Sequence, residues 1–280
     1  MYFFAQIASW VNVLTNAFGN FFLAPIAMLP GWLSNTIISG VTGVFLLVIF
    51  KYTSNQRAIG KIRDDIKAHM LALKLFKDSI SVTLHAEVRV FKGAFFLLFH
   101  AIPPMLVMIF PVSLLLAQMS LWYQSRPLLP GEVAVMTVKL NDNVGGRWPT
   151  VNIEPAPVAE VTVGPVRVFS RREICWEIKA LENGNHRITL DVNRHQIEKE
   201  LVIGDGFIRV SSTRPAWNWA NILMHPAEKP FAPDSIVQSV NIDYPDRLSW
   251  TSSANWWLIY FFIASMVFAF ISRPFLKIRI

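Results

Sequence analysis

The sequence predicts an integral membrane α-helical protein with three spans, a basic cytoplasmic helical arm and an inserted extracytoplasmic β-sandwich domain. Three observations support this fold class: long apolar stretches, basic residues concentrated beside them, and alternating β-branched runs between the second and third stretches. Of the 280 residues, 53% are hydrophobic, and the mean hydropathy is +0.39. Positions 1–50 contain no Asp, Glu, Lys or Arg, which excludes an ordinary solvated surface for this segment.

Residues 1–30 predict an amphipathic helix that lies in the membrane interface. Polar residues recur every three or four positions between aromatic and aliphatic ones, namely Gln6, Ser9, Asn12 and Asn16. The predicted helix ends before Pro25, and a fourth span over residues 2–24 is the alternative. Because the segment lacks a basic start, we do not expect a cleaved signal peptide.

Three segments are long enough to cross about 30 Å of hydrocarbon as helices. They are residues 31–50, residues 93–123 and residues 253–272. The second segment is predicted to break at Pro103-Pro104 and again at Pro111, which leaves 104–122 as its best spanning part. Aromatic side chains that favour the headgroup level stand at the span ends: Trp122, Tyr123, Trp256 and Trp257.

The basic residues predict the orientation of these spans. Residues 51–92 contain nine basic and four acidic residues, and the tail 273–280 adds Arg273, Lys277 and Arg279. Residues 93–272 are nearly balanced, with fourteen basic and fifteen acidic residues. Because basic segments remain cytoplasmic, we expect the N-terminus and residues 124–252 outside, in a multi-pass protein of the cell (inner) membrane. Nucleic acid is not expected as a specific ligand.

Residues 51–92 predict a cytoplasmic basic helical arm. Apolar residues step by three or four and form one stripe: Ile59, Ile62, Ile66, Met70, Leu73, Phe76 and Ile80. The basic face of the arm comprises Lys51, Arg57, Lys61, Arg63 and Lys67. Two interpretations stay open: a helix pair that rests on the bilayer surface, or an arm that contacts a ribosome, a nascent chain or a partner subunit.

Residues 124–252 predict a β-rich domain with a juxtamembrane connection. Five alternating runs fall within it: VAVMTVKL, AEVTVGPVRVF, ICWEIKAL, HRITLDV and KELVIGDGFIRV. Asn183-Gly184 predicts a two-residue hairpin between the third and fourth runs, and residues 143–146 and Gly164-Pro165 predict further turns. Strands at this spacing predict a β-sandwich, and the segment 213–252, rich in Pro and Trp, predicts the connection to the last span.

Catalytic motifs are not found in the sequence, and we do not expect an enzyme or a bound cofactor. Nucleotide-binding loops and hydrolase or metalloprotease motifs do not occur. Cys175 is the only cysteine, which excludes an intramolecular disulfide and a multi-cysteine metal site. The six histidines lack ligand spacing, so no metal site is expected. Asp191, His195 and Ser211 fall on separate predicted strands or turns and are not predicted to form a triad.

Polar residues inside the spans are the candidate functional residues, because hydrocarbon penalises them. Asn35, Ser39 and Thr42 share one face of the first span, and Ser113 and Gln118 lie in the second. One interpretation is helix–helix packing, in which small polar residues join the spans. The other is a hydrated groove, partly open to the cytoplasm, that shelters polar parts of a client segment.

Several short motifs support a family resemblance over residues 20–123. They are Pro25 and Leu29-Pro30 ahead of the first span, the run KYTSNQ at 51–56 followed by Lys61 and Ile66-Lys67, and Gly93 with Pro103-Pro104. Together with the order of spans and arm, this pattern resembles the YidC/Oxa/Alb membrane-insertase superfamily, in particular its three-span archaeal-type YidC-like relatives. For the last span the similarity is one of topology alone.

This resemblance implies an insertase or intramembrane chaperone that assists insertion or folding of membrane proteins through a polar groove between the spans. Many insertases place an arginine in the groove, whereas the first span here has no basic residue, so the implied groove is polar but uncharged. Its partners would be the lipid bilayer and other membrane proteins or nascent chains. The alternative function is a non-catalytic structural subunit of a multi-protein membrane complex, with partners on the β domain and the basic arm.

Overall fold

A computed structural model of the chain describes residues 2–76, 80–141, 148–248, 256–276 and 278. The helices are α1 Tyr2–Ala27, α2 Gly31–Thr53, α3 Gln56–Leu75, α4 Ile80–Tyr123, α5 Trp219–Met224 and α6 Trp256–Leu276. The strands are β1 Val133–Leu140, β2 Val151–Ile153, β3 Ala159–Val168, β4 Glu173–Ala180, β5 Gly184–Val192, β6 His195–Ile203, β7 Thr213–Arg214 and β8 Val237–Ile242. The chain forms two compact units: residues 1–35 with 114–259, and residues 36–113 with 260–280.

Three helices are long and apolar enough to cross a membrane: α2, α4 and α6. The prediction of three apolar helices is therefore confirmed by length and composition. The predicted breaks in the second segment are wrong, because α4 continues through Pro103, Pro104 and Pro111 as one helix of 44 residues. Proline is tolerated in apolar helices where local adjustments satisfy the freed backbone groups. At 1.5 Å per residue, α4 is about 66 Å long.

The N-terminal segment forms a single helix, α1. It does not end before Pro25 as predicted, but continues through Pro25 to Ala27. Three residues then connect it to the first turn of α2.

In the second unit, the predicted arm consists of α3 and the first part of α4. Asn55 caps α3, since its side-chain oxygen accepts a hydrogen bond from the Ala58 N–H at 3.1 Å. The predicted apolar stripe contains Ile59, which is buried, and Ile66, which packs directly against Gly93 of α4. The helix α4 runs from the arm into the second apolar segment without a break at residue 92.

In the first unit, residues 124–141 and 148–248 form a two-sheet domain. One antiparallel sheet has the strand order β3-β4-β1-β8-β7, and the other has the order β2-β5-β6. Buried residues of both sheets belong to one hydrophobic core, which includes Met136, Trp176, Leu190, Leu201 and Val240. The first four predicted runs supply β1, β3, β4 and β5, which confirms them as strands. The fifth run is a strand only at residues 199–203 of β6, and residues 204–210 lie outside any strand.

The predicted hairpin at Asn183-Gly184 is wrong. β4 pairs with β1 and β3 in one sheet, whereas β5 pairs with β2 and β6 in the other, so this turn connects two sheets. The tight hairpin joins β5 to β6, where Val192 pairs with His195 across Asn193 and Arg194. Both turn residues have positive φ, 49° and 71°, as a type I′ turn requires, although neither is glycine. The turn predicted at 143–146 lies outside the described residues.

The predicted juxtamembrane connection 213–252 is largely part of the domain. It contributes β7, α5 and β8, and β8 lies between β1 and β7 in the larger sheet. The core side chains Val237, Val240 and Ile242 of β8 were not recognised because the strand is short and surrounded by Pro, Trp and charged residues.

Side chains from elsewhere in the domain cover the outer edge of β6. Three backbone groups that could join another strand already have partners: Arg214 donates to Glu198 O at 2.5 Å, the Glu200 N–H donates to the Glu228 carboxylate at 3.2 Å, and the Val202 N–H donates to the Tyr244 hydroxyl at 3.0 Å. This edge is therefore protected against strand addition over these residues.

Candidate functional site

The predicted polar face of the first span packs closely against α6. In the second unit, Ser39 and Thr42 are buried, and the neighbouring Gly43 approaches α6 so closely that an added Cβ would lie 2.2 Å from the Ser265 carbonyl oxygen. Gly40 lies against the ring of Phe268, and a Cβ added at Gly40 would be 3.3 Å from that ring. Small residues that allow such backbone approach are typical of helix interfaces in membranes.

The first unit shows the same kind of packing at the other end of α2. Asn35 is fully buried, and its amide nitrogen donates to the Trp257 carbonyl at 3.3 Å. The hydroxyls of Ser34 and Tyr123 are 2.7 Å apart and hydrogen-bonded, which joins α2 to the last turn of α4. Asn35, Ser39 and Thr42 are thus all buried in this structure, and Asn35 is hydrogen-bonded to α6.

The two groove candidates of the second span have different surroundings. Ser113 is exposed, and its hydroxyl donates to the Ile109 carbonyl of its own helix at 2.7 Å. Gln118 is buried, and its amide donates to the Asn16 side-chain oxygen of α1 at 2.9 Å. These contacts place Gln118 in a seam with α1, whereas Ser113 bonds only within its own helix.

The basic face of the arm is mostly exposed. Arg57, Lys61 and Lys67 are exposed along α3, and Arg63 is half-buried. Lys51 differs, because its ammonium group donates to the Leu276 carbonyl at 3.0 Å, at the C-terminal end of α6. A cation at a helix C-terminus is stabilised by the helix dipole and satisfies a carbonyl that lacks an intrahelical partner.

The C-terminal end of α4 is hydrogen-bonded to the two-sheet domain. The Val210 N–H donates to the Leu121 carbonyl at 2.8 Å, and the Arg247 N–H donates to the Gln124 carbonyl at 3.1 Å. The Arg247 guanidinium lies over the Phe207 ring at 4.7 Å, and that ring also contacts Trp122 and Tyr123. The Leu121 carbonyl, which lies at the end of α4, is therefore paired with the two-sheet domain, and this attaches the domain to the last turn of the helix.

Asn12 and Asn16 of the predicted polar stripe of α1 contact protein, whereas Gln6 is exposed. The Asn12 amide donates to the Ile222 carbonyl of α5, and the Asn16 amide donates to the Pro226 carbonyl at 2.5 Å. Ala5 and Ala8 form a small core with Ile222. The three-to-four spacing of these residues was visible in the sequence, but their partner was not, because α5 lies more than 200 residues further along the chain.

The two-sheet domain contains a buried ion pair. Lys199 is fully buried on β6, and its ammonium group donates to the Glu228 carboxylate at 2.5 Å and to the Ser211 carbonyl at 2.7 Å. Burial lowers the pKa of Lys199, and the charge of Glu228 opposes that shift. The Ser211 hydroxyl also donates to Glu228. The sequence contains a signal for the burial of Lys199, because this residue alternates with Ile197 and Leu201 on one face of β6.

This cluster ties the loop around Glu228 to β6, which is a structural role. Among the described residues, no group of three or more His, Cys, Asp or Glu side chains is arranged to hold a metal ion. No family model matches the chain, and neither a curated protein nor a solved structure shows significant similarity to it.

Proposed function

We propose that this chain is a non-catalytic structural subunit of a multi-protein membrane complex, with α2, α4 and α6 as its spans. The observation that supports this function most is the packing of the candidate groove face. Asn35 and Ser39 are fully buried, and Gly43 permits direct backbone contact with α6. A face packed in this way stabilises the helices against each other and does not offer a water-filled path to a client.

The attachment of α4 to the two-sheet domain supports the same function. Because the Val210 N–H pairs with the Leu121 carbonyl, the domain is fixed to the last turn of α4. A fixed domain suits a scaffold that presents a constant surface to a partner. In this proposal the two sheets form an extracytoplasmic β-sandwich, and the exposed bases of α3, with the tail, are cytoplasmic.

Cysteine labelling in intact membranes tests the proposal. Single cysteines replace Asn35, Ser39 and Thr42 in a Cys175→Ser background, and a membrane-impermeant maleimide is added from either side. A packed face predicts protection at all three positions. Labelling of all three from the cytoplasmic side would reveal a water-filled groove and contradict the proposal.

Two matched controls make the protection interpretable. Arg57→Cys, on the exposed face of the arm, should be labelled. Val41→Cys lies on α2 itself, is 67% exposed on the opposite side, and should be protected by lipid. If Arg57→Cys is accessible from the cytoplasmic side only, the proposed orientation is supported as well.

An insertase or intramembrane chaperone remains a second candidate because of one observation on α4. Between Phe95 and Phe110 this helix exposes ten large apolar side chains in all directions, so that a client span has room to lie against it. Photo-crosslinking residues at Phe99 and Leu106 during synthesis of membrane proteins test this idea. Adducts with varied nascent chains would favour the insertase, and one constant partner would favour the structural subunit.

A further inference from the structure

The two halves of α1 differ completely in their surroundings. The buried half consists of small or polar residues with one leucine: Ala5, Ala8, Asn12, Gly19 and Leu23. Its contacts are with protein, because Asn12 and Asn16 donate to carbonyls of α5 and of the following loop. Gly19 lies against Gln118, close to the end of α4.

The other half of α1 is exposed and apolar. Nine large side chains, each 44–72% exposed, point away from the protein: Phe3, Phe4, Ile7, Trp10, Val13, Leu14, Phe18, Phe21 and Phe22. At about 100° per residue they cover half of the helix circumference. Gln6 is the only polar side chain among the exposed residues that the structure describes on α1. A surface of this composition excludes water as its neighbour.

The contacts along α1 limit how it can lie in a membrane. Between Ala5 and Asn16 the helix follows α5 and Pro226 of the two-sheet domain over about 16 Å. At Gly19 it passes Gln118, five residues before the end of α4. The remaining residues, 20–27, give about 12 Å of helix, whereas a span needs about 30 Å. All these residues belong to one compact unit.

We infer that α1 lies flat in the lipid leaflet on the side of the two-sheet domain, with its apolar half in the hydrocarbon and its opposite half beneath the domain. The partner of the exposed half is therefore a lipid monolayer. In this arrangement Asn12 and Asn16 do not face the headgroups, as the polar side chains of an amphipathic interfacial helix normally would, because they are bonded to α5 and Pro226. The inference rests on the proposed function only for the membrane location of the neighbouring spans.

Depth measurements on the full chain in liposomes test this inference. Spin labels are attached to single cysteines at Trp10, Leu14 and Phe21, which lie on the exposed half, in a Cys175→Ser background. Accessibility to oxygen and to a water-soluble nickel chelate reports the depth of each label. A flat helix predicts the same depth in lipid at all three positions.

Labels on α6 provide the internal comparison. Ile259, Ile263, Val267 and Phe270 are exposed on an apolar span, so their depths should rise to the bilayer centre and fall again. A steady change of about 16 Å between positions 10 and 21 would mean that α1 crosses the membrane, and would overturn the inference. Access of the nickel chelate to all three α1 labels would overturn it too. Neither result depends on whether positions 35, 39 and 42 are labelled by maleimide, so the two proposals fail separately.

Discussion

Replacing Gly43 by alanine should weaken the packing of α2 against α6. The added Cβ would lie 2.2 Å from the Ser265 carbonyl oxygen and 2.9 Å from the carbonyl carbon, and both belong to backbone that cannot rotate away. Ordinary contact begins at 3.4 Å, so the two helices must separate locally by about 1.2 Å. Overpacking of this kind costs about 1–3 kcal/mol, and a backbone clash belongs at the upper end. Because alanine is more favourable than glycine in a helix by about 1 kcal/mol, the net loss of packing stability is about 1–2 kcal/mol.

Gly40→Ala is the matched control on the same helix. The three atoms nearest to its Cβ would all belong to the Phe268 ring, the closest at 3.3 Å, and that ring can move by a few tenths of an ångström. We expect this variant to equal the parent chain or to exceed it by up to about 1 kcal/mol.

Both variants are measured as the purified full chain in mixed micelles, with unfolding followed by far-ultraviolet circular dichroism as the fraction of dodecyl sulfate rises. The expected order of stability is Gly40→Ala, then the parent, then Gly43→Ala. If Gly43→Ala were as stable as Gly40→Ala, the close approach of α2 to α6 would be refuted.

Two further predictions concern the two-sheet domain. Glu228→Gln should lower the unfolding free energy of the domain by about 3–5 kcal/mol, because it leaves the Lys199 charge buried and unpaired. The double variant Lys199→Met, Glu228→Gln should recover most of this loss. Equal instability of the single and double variants in urea unfolding would contradict this prediction. Arg126 binds Glu132 through two 2.8 Å contacts and, as the largest cause, lowers the pKa of this carboxyl to about 2. The resulting stabilisation is present above the usual pKa of 4.5 and is lost as the pH falls towards 2. Because both side chains are about one-third exposed, Glu132→Gln should cost only about 1 kcal/mol at neutral pH, and the difference from the parent should disappear in acid. A difference that stayed constant with pH would count against the ion pair.

The sequence predicted the features that depend on local patterns. Apolar length indicated α2 and α6, and alternation indicated β1, β4 and β5, because burial of one face or of a whole helix leaves a periodic record. It failed where the outcome depended on distant partners. Asn183-Gly184 has the chemistry of a hairpin, yet the strands on either side belong to different sheets, because each pairs with neighbours from other parts of the chain.

For the candidate site, the sequence identified residues but not their surroundings. Asn35, Ser39 and Thr42 were selected because polar groups are costly in hydrocarbon, and both packing and a groove satisfy that requirement. The approach of Gly43 to Ser265 favours packing, and no pattern in the sequence reveals this approach. Lys199 was missed because a lysine in a strand normally points to solvent, and its partner Glu228 lies in a loop without any pattern.

The covered edge of β6 has a consequence for crowding in the membrane. Chains anchored in one bilayer are confined to a plane and meet each other at high effective concentration with their domains on the same side. Under these conditions, an open sheet edge would allow one copy to pair with the next and so promote uncontrolled polymerisation. Arg214, Glu228 and Tyr244 occupy that edge, whereas β3, which borders the larger sheet, is exposed along almost its whole length. At Glu198, Glu200 and Val202 of β6, these backbone groups are therefore closed to pairing with a neighbouring copy.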